Sequence, residues 1–410
     1  MQEILDRFIR YAKINTRSDE NITDRTPTTE NQWDLARLLE KELKELGLQD
    51  VQLNEQCFLT AILPANTDKK LPVIAFMAHM DTSPDFSADG VKPQIIENYD
   101  GGDIPLKGKS GMALMPKEFP DLLKYKGQTL VTTDGTTLLG ADDKAGIAAI
   151  MSALEYMIAH PEFKHGVVKV AFTPDEETSY GIDHFDVKSF AADFAYTVDG
   201  GELGELEYEN FNAGRAYVTV HGKSVHAGYA KNVMVNAMLV FFEFNSLLPV
   251  QQRPEYTEGR DGFYHLWKIS EGNVEHVEGT YLLRDHDTDK YDKQKQTIMD
   301  CAEFINKKYG ADTLEVRIQE LYRNMREQIE PVIHIVEAAQ KAMRELEIEP
   351  IVHPIRGGTD GARLSFNGLP TPNLFNGGYN FHGPYEFLVV DSMIKASKVI
   401  LKIIELYTNK

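Results

Sequence analysis

The chain is poor in cysteine. Cys57 and Cys301 are its two, far apart and in no Cys-x-x-Cys pair. That argues against a disulfide framework and against a zinc finger. Positive charge is also scarce, with 43 Lys and Arg against 63 Asp and Glu and a formal net charge of −20. Nucleic acids and acidic membrane surfaces want basic patches, so neither is expected as a partner. No apolar run is long enough to span a bilayer, so no membrane is expected either. The first residues, MQEILDRFIRYAKI, read as an amphipathic helix through Ile4, Leu5, Phe8, Ile9 and Tyr11. They lack the charged start, apolar run and small cleavage site of a signal peptide, and the expected compartment is the cytoplasm. Internal repeats and low-complexity segments are missing as well. What remains is an ordinary globular composition, 42% apolar and 26% charged, in 410 residues. That length exceeds the usual ceiling for one hydrophobic core, so two domains are expected.

The stretch from Thr132 to Gly146, TTDGTTLLGADDKAG, organises the rest. Asp142 and Asp143 stand at the mouth of an apolar helix, Ala145 to Met157. Two adjacent carboxylates there are costly to desolvate without a cation. One carboxylate has two oxygens, and Asp142 is read as a bridge between two metal ions. Taken alone, the pair reads equally well as a capped helix start.

Along the chain, a helix from Asn31 to Leu46 stops at Gly47. Short strands follow at Val51–Leu53, Phe58–Leu63 and the apolar run Val73–Ala78, which empties into His79-Met80-Asp81. Residues 83–127 form a long excursion rich in Pro, Gly and Lys. After a short strand, Thr129 to Thr132, and the helix from Asp143 to His160, a strand Val167–Phe172 ends in Thr173-Pro174-Asp175-Glu176-Glu177. A further strand, Phe194–Val198, ends at Asp199-Gly200-Gly201. In open α/β sheets, ligands bind at the carboxyl ends of the strands. Near Gly214 the pattern changes to β-α-β-β-α-β: strand 216–220, helix 232–248, strands 263–269 and 277–283, helix 290–308, strand 313–321. This is a split βαβ, ferredoxin-like unit, read as an insertion. A helix from Pro331 to Glu345 returns to the first domain. The expectation is an α/β protein with one domain from residues 1–213 and 328–410 and a second from 214–327.

His79, Asp142, Glu177, Asp199 and His382 are the five groups that could surround two metals. Nitrogen and oxygen donors in this mix suit Zn²⁺, with Mn²⁺ or Co²⁺ as alternatives. Two dications against three carboxylates leave one positive charge, which one bridging hydroxide would cancel. Glu176, beside Glu177, faces a different way and is the candidate general base. Asp81, two residues after His79, is the candidate acid supporting that histidine. Each piece alone also fits a solvated charge pair or a turn; their coincidence at strand ends gives them weight.

The motifs HMDT at 79–82, GADDKAG at 140–146, PDEE at 174–177, VDGG at 198–201 and HGP at 382–384 resemble the M20 family of di-zinc exopeptidases over nearly the whole chain. Residues 104–146 and 356–386 most resemble its tripeptide aminopeptidases. The resemblance implies a mixed-sheet catalytic domain with an inserted lid through which the chain forms a homodimer. It implies that His79 and Asp199 complete one metal site and Glu177 and His382 the other, with Asp142 shared. It implies Glu176 as base, Asp81 as supporting acid, a cis peptide between Asp142 and Asp143, and a water between the metals that attacks the first peptide carbonyl. It also implies that His226, in HGKSVHAG, reaches a neighbouring subunit's site to stabilise the oxyanion. A peptidase limited to short peptides must sense the free carboxylate, which favours a guanidinium fork. Arg284 and Arg356 are the candidates. A dipeptidase, carboxypeptidase or N-acyl deacylase of the same family, and a metal-dependent peptide-binding protein, are the rival readings.

Overall fold

In the computed structural model of the chain, which describes residues 2–178 and 181–409, the apolar run before His79 forms the strand Ile74–His79, every residue of it buried. It lies between Val168–Thr173 and Phe194–Gly200, parallel to both. The sheet runs in the order Gln49–Leu53, Leu59–Leu63, Val168–Thr173, Ile74–His79, Phe194–Gly200, Asn373–Phe375, Glu205–Glu207, Ile351–Val352. Strands buried on both faces read as continuous apolar runs, which is why Phe76, Met77, Val170, Phe172 and Tyr196 carry no polar alternation. The register pairs His79 with Thr173 and Phe375 with Gly200, so the central strands finish together at one edge.

Two features of this region go beyond the sequence reading. The strand Leu130–Thr132 does not join the main sheet. It pairs with Phe387–Val389 and Gln94–Ile96 in a separate antiparallel sheet that ends in Gly378–Tyr379. Asp142 therefore reaches the site from a different sheet than His79 and Asp199. The excursion over residues 83–127 is also built rather than loose. Tyr99, Ile104, Leu106, Leu114, Leu122 and Tyr125 pack with Leu130, Tyr379 and Phe387. Its strands are two or three residues long, too short to leave a period in the sequence.

The chain divides into two compact units: Met1–Tyr208 with Glu327–His353 and Thr359–Lys410, and Glu209–Arg326 with Pro354–Gly358. The second unit thus begins at Glu209 rather than Gly214, and takes in 354–358, which the sequence boundaries leave in the first. Physical ties explain both differences. Glu209 is paired with Arg260 and Arg326, and Ile355 N–H donates to the Glu209 carbonyl at 2.8 Å. Within the second unit the strands Phe263–Gly272, His276–Asp285, Asn212–His221 and Leu314–Tyr322 lie side by side in that order, antiparallel throughout. Phe241, Phe244, Tyr281, Tyr291 and Ile298 fill its core against the helices Ala237–Leu247 and Thr288–Tyr309. The first of these helices starts five residues later than expected. Lys223 and Val235 form a bridge that keeps the preceding chain extended. The Asn236 side chain then accepts from the Met238 and Leu239 N–H groups, a cap that fixes the start.

Candidate metal centre

Asp142 enters the helix Ala141–Ala159, yet neither its backbone (φ −82°, ψ 107°) nor that of Asp143 (φ −116°, ψ 31°) is helical. The peptide joining them is cis. Behind them Gly146 lets the helix lie against the sheet, because an added Cβ would overlap the Val198 carbonyl oxygen and the Asp143 carboxylate. This close seat holds Asp142 over the end of the strand that carries Asp199.

The Asp142 carboxylate faces two histidines at once. Oδ1 lies 2.9 Å from His79 Nε2, and Oδ2 lies 3.2 Å from His382 Nε2. Each ring nitrogen meets one further acid: His79 Nε2 is 3.4 Å from Asp199 Oδ1, and His382 Nε2 is 3.0 Å from Glu177 Oε2. All five side chains named from the sequence as metal donors therefore come together, as two groups that share Asp142. Asp143 is a sixth side chain here, and the fourth acid. One ligand atom each of His79, Asp143 and Asp199 lie within 4.8 Å of one another, as do those of His79, Asp142 and Glu177. Asp143 accepts from Asn376 Nδ2 at 3.0 Å, while its Oδ2 is buried without a partner among the described residues.

The donor set fits a divalent cation. Glu177 Oε1 is buried and has no hydrogen-bond partner among the described residues, an arrangement costly for a carboxylate unless a cation meets it. Burial, reinforced by the charge of Asp142, pushes the Glu177 carboxyl up to about 8. Burial also raises Asp199 to about 6, against the pull of His79. Glu176 is pushed well above the usual carboxylate range by burial and by the charge of Asp199. For Asp142, burial works upward, but hydrogen bonds with His382 and His79 outweigh it and hold the group below the usual range. Crowded acids of this kind repel one another, and cations bound among them would relieve that repulsion.

Asp81 ties the pieces together, though differently from the expectation. The nearest partner of His79 Nδ1 is the Asp81 carbonyl oxygen, at 3.0 Å, with the carboxylate at 3.3 Å. The carboxylate oxygens chiefly accept from Glu176 N–H at 3.0 Å and Glu177 N–H at 3.2 Å. One buried acid thus holds both the histidine and the short turn Glu176–Thr178. Two further acids escaped the sequence reading. Asp360 is buried, accepts from Thr173 Oγ1 at 3.1 Å, and is raised to about 7 by burial. Glu386 is buried against the loop before Asp142. Its signal in the sequence was an acid set directly before the apolar run Phe387–Val390.

His226, Arg284 and Arg356 belong to the second unit. His226 is exposed and caps the turn Ala227–Tyr229, its Nδ1 accepting from Gly228 N–H at 3.1 Å. Arg284 donates to the Leu283 carbonyl at 2.9 Å and lies over the Tyr322 ring. Arg356 lies over the Phe211 and Phe263 rings and donates to the Gly259 carbonyl.

Imidazoles and carboxylates gathered beyond the ends of parallel strands are the equipment of a metal-dependent hydrolase. The chain belongs to the peptidase family M20/M25/M40, whose model matches residues 129–406. Within that family it is similar to proteins named Peptidase T. It is 58% identical over 410 residues to that of Caldanaerobacter subterraneus subsp. tengcongensis and 55% identical over 411 residues to that of Alkaliphilus oremlandii, with 100% of both chains covered each time. Solved structures similar in fold include the aminopeptidase PepT from Bacillus cereus (TM-score 0.79, 22% identity, 99% of this chain and 98% of that one). A tripeptidase from Staphylococcus aureus matches equally well (TM-score 0.79, 22% identity, 100% and 99%). A dinuclear metal binding peptidase of the M20 family from Bacillus subtilis matches with TM-score 0.66 at 13% identity, over 99% of each chain. The chain is therefore a metal-dependent peptidase.

Proposed function

We propose that this peptidase is an aminopeptidase that releases the N-terminal residue of tripeptides in the cytoplasm. One observation carries the metal chemistry: the two oxygens of Asp142 face different histidines, 2.9 Å and 3.2 Å away, each backed by its own second acid. That arrangement supports a pair of cations, zinc in this reading, with manganese or cobalt as alternatives. His79 and Asp199 would hold one, Glu177 and His382 the other, and Asp142 would serve both. Once bound, the cations supply Lewis acidity toward the scissile carbonyl and make a water acidic enough to attack near neutral pH.

The chain's own groups do the rest. Glu176 takes the proton from the attacking water and hands it to the leaving amine, a task suited to a carboxyl raised by burial. Asp81 keeps the Glu176 turn and the His79 ring in register. Arg284 and Arg356 receive the free carboxylate, whose flat fork matches a guanidinium. His226 of a second copy stabilises the oxyanion, with the second unit acting as lid and as the surface of a homodimer. The substrate class is supported by full-length similarity to proteins named Peptidase T and by the fold shared with a tripeptidase.

The test is a panel of free tripeptides, N-acetylated tripeptides and dipeptides, assayed before and after chelation and again after Zn²⁺ or Mn²⁺ is restored. Free tripeptides should be cut at the first bond, chelation should abolish turnover, and added metal should restore it. Preferential cutting of acylated peptides would overturn the substrate, and undiminished turnover after chelation would overturn the metal.

A further inference from the structure

The first N–H groups of a helix have no partner within it and need one from elsewhere. At the helix Ala141–Ala159 the N-cap is Gly140, which offers no side chain. The groups are met instead by Glu386, 245 residues further along the chain than Ala141. Glu386 Oε2 accepts from Leu139 N–H at 2.6 Å and Gly140 N–H at 2.9 Å. Oε1 accepts from Ala141 N–H at 2.6 Å and Asp142 N–H at 3.2 Å. A carboxylate is the side chain that can take two N–H donors on each of two oxygens while offering no hydrogen of its own. Glu386 is 1% exposed, so water does not substitute for these bonds. Lys144, also buried, lies near enough for its charge to bear on Glu386, and its Nζ donates to the Ile14 carbonyl at 2.7 Å.

The segment that carries Glu386 also carries His382. Glu386 N–H donates to the Gly383 carbonyl at 3.3 Å, and the next residues pair with the strand leading to the Asp142 loop, Phe387 opposite Thr132. Asp142 is therefore gripped from one segment at two points: His382 at its side-chain oxygen and Glu386 at its backbone N–H.

We infer that Glu386 is a positioning residue, which sets the Asp142 loop in its ligating form before any metal arrives. This rests on Asp142 being the shared metal ligand, as proposed above. A residue that only capped the helix would change stability and leave metal affinity alone. A positioning residue changes affinity for both cations together, because Asp142 serves both. Partners that orient ligands are worth about 10–100-fold in metal affinity or activity.

The experiment uses the full-length protein and its Glu386→Gln and Glu386→Asp variants, stripped of metal and titrated with Zn²⁺ against a chromogenic chelator. Thermal melting, kcat and KM on a free tripeptide are measured beside the titration. Glu386→Gln replaces one acceptor oxygen by a donor. It should bind both Zn²⁺ ions about tenfold more weakly or worse, with kcat falling at least as much and KM nearly unchanged. Glu386→Asp keeps the acceptors and should recover part of the affinity. Wild-type Zn²⁺ affinity in a folded Glu386→Gln variant would overturn the inference, even if its melting temperature fell. Should that variant not fold, amide exchange in the wild-type protein decides. The Leu139–Asp142 amides should be protected to about the same degree, within tenfold, in metal-free and Zn²⁺-loaded protein. Open amides in the metal-free protein would overturn the inference. Wild-type protein that bound no divalent cation would instead overturn the metal reading, leaving amide protection to report on Glu386 by itself.

Discussion

The two histidines that face Asp142 occupy unlike surroundings. His79 ends a fully buried strand; its ring is 1% exposed and Asp81 holds the far nitrogen. His382 sits at φ +67° on a loop. Its ring is 41% exposed, and its far nitrogen meets Asp85, a side chain 66% exposed. One side of the centre is thus made by the sheet, with its geometry set by core packing. The other is made by a turn with water beside it, where local opening costs little. The lesson is that two positions built from similar donors need not hold a cation equally well.

The largest expected effect ignores this difference, because both sides depend on Asp142. Asp142→Asn should lose both metal ions and bring tripeptide hydrolysis below detection, as read by metal analysis and assay. A variant that kept one full equivalent and normal turnover would break the shared-ligand picture. The next tests the asymmetry itself. His79→Ala leaves buried acids without their partner and should cost about 3–5 kcal/mol of stability along with its metal. His382→Ala should lose its metal but cost clearly less stability than His79→Ala, because its ring is 41% exposed although the acid it meets, Glu177, is buried. Denaturant melts of the two metal-free variants compare them, and equal losses would erase the distinction. Third, Asp81→Asn gives up one of the two oxygens that accept from Glu176 and Glu177, and should lower activity about 10–100-fold. An unchanged kcat would confine Asp81 to structure.

The smallest effect is one of pH. In metal-free protein, Asp199 near 6, Asp360 near 7 and Glu177 near 8 titrate above their ordinary values of 3.8 to 4.5. The folded form then keeps protons that the unfolded chain has released, so stability falls as pH rises from about 5 to 7. His382, raised to about 12, acts in the same direction: its contribution is whole below about 6.5 and wanes above it. Lys144, lowered to about 7 by burial, opposes this only above pH 7. Melting temperature should drop by about 5 °C or more across that window. Zn²⁺ should cancel the drop, because metal binding favours deprotonated ligands. A level profile without metal would contradict the reading of crowded acids.

What the sequence revealed was what short stretches encode. Ile74–His79 is legible because a buried parallel strand is a continuous apolar run, and the acids that follow such strands mark its functional edge. The β-α-β-β-α-β order of the second unit is legible because its strands are nine or ten residues long. What escaped depended on distant pairing. Glu386 meets amides more than two hundred residues earlier. The Leu130–Thr132 strand turned to a different sheet through partners at 94–96 and 387–389. The Ala237 helix start was set by a bridge between Lys223 and Val235. No local pattern carries the first two, whereas the Asn236 cap was a local signal for the third. The cis peptide at Asp142 was likewise implied by family resemblance alone.

Gly146 carries one consequence further. It lies one turn behind Asp142, flush against the carbonyl that immediately precedes Asp199. Two acids from elements far apart in sequence are thereby spaced by a seam where the helix backbone meets the strand backbone directly. Flexible packing would let that interval drift with every rotamer change. A bare glycine makes it a fixed gauge, so the smallest residue in the motif sets the tolerance to which the largest charges are held.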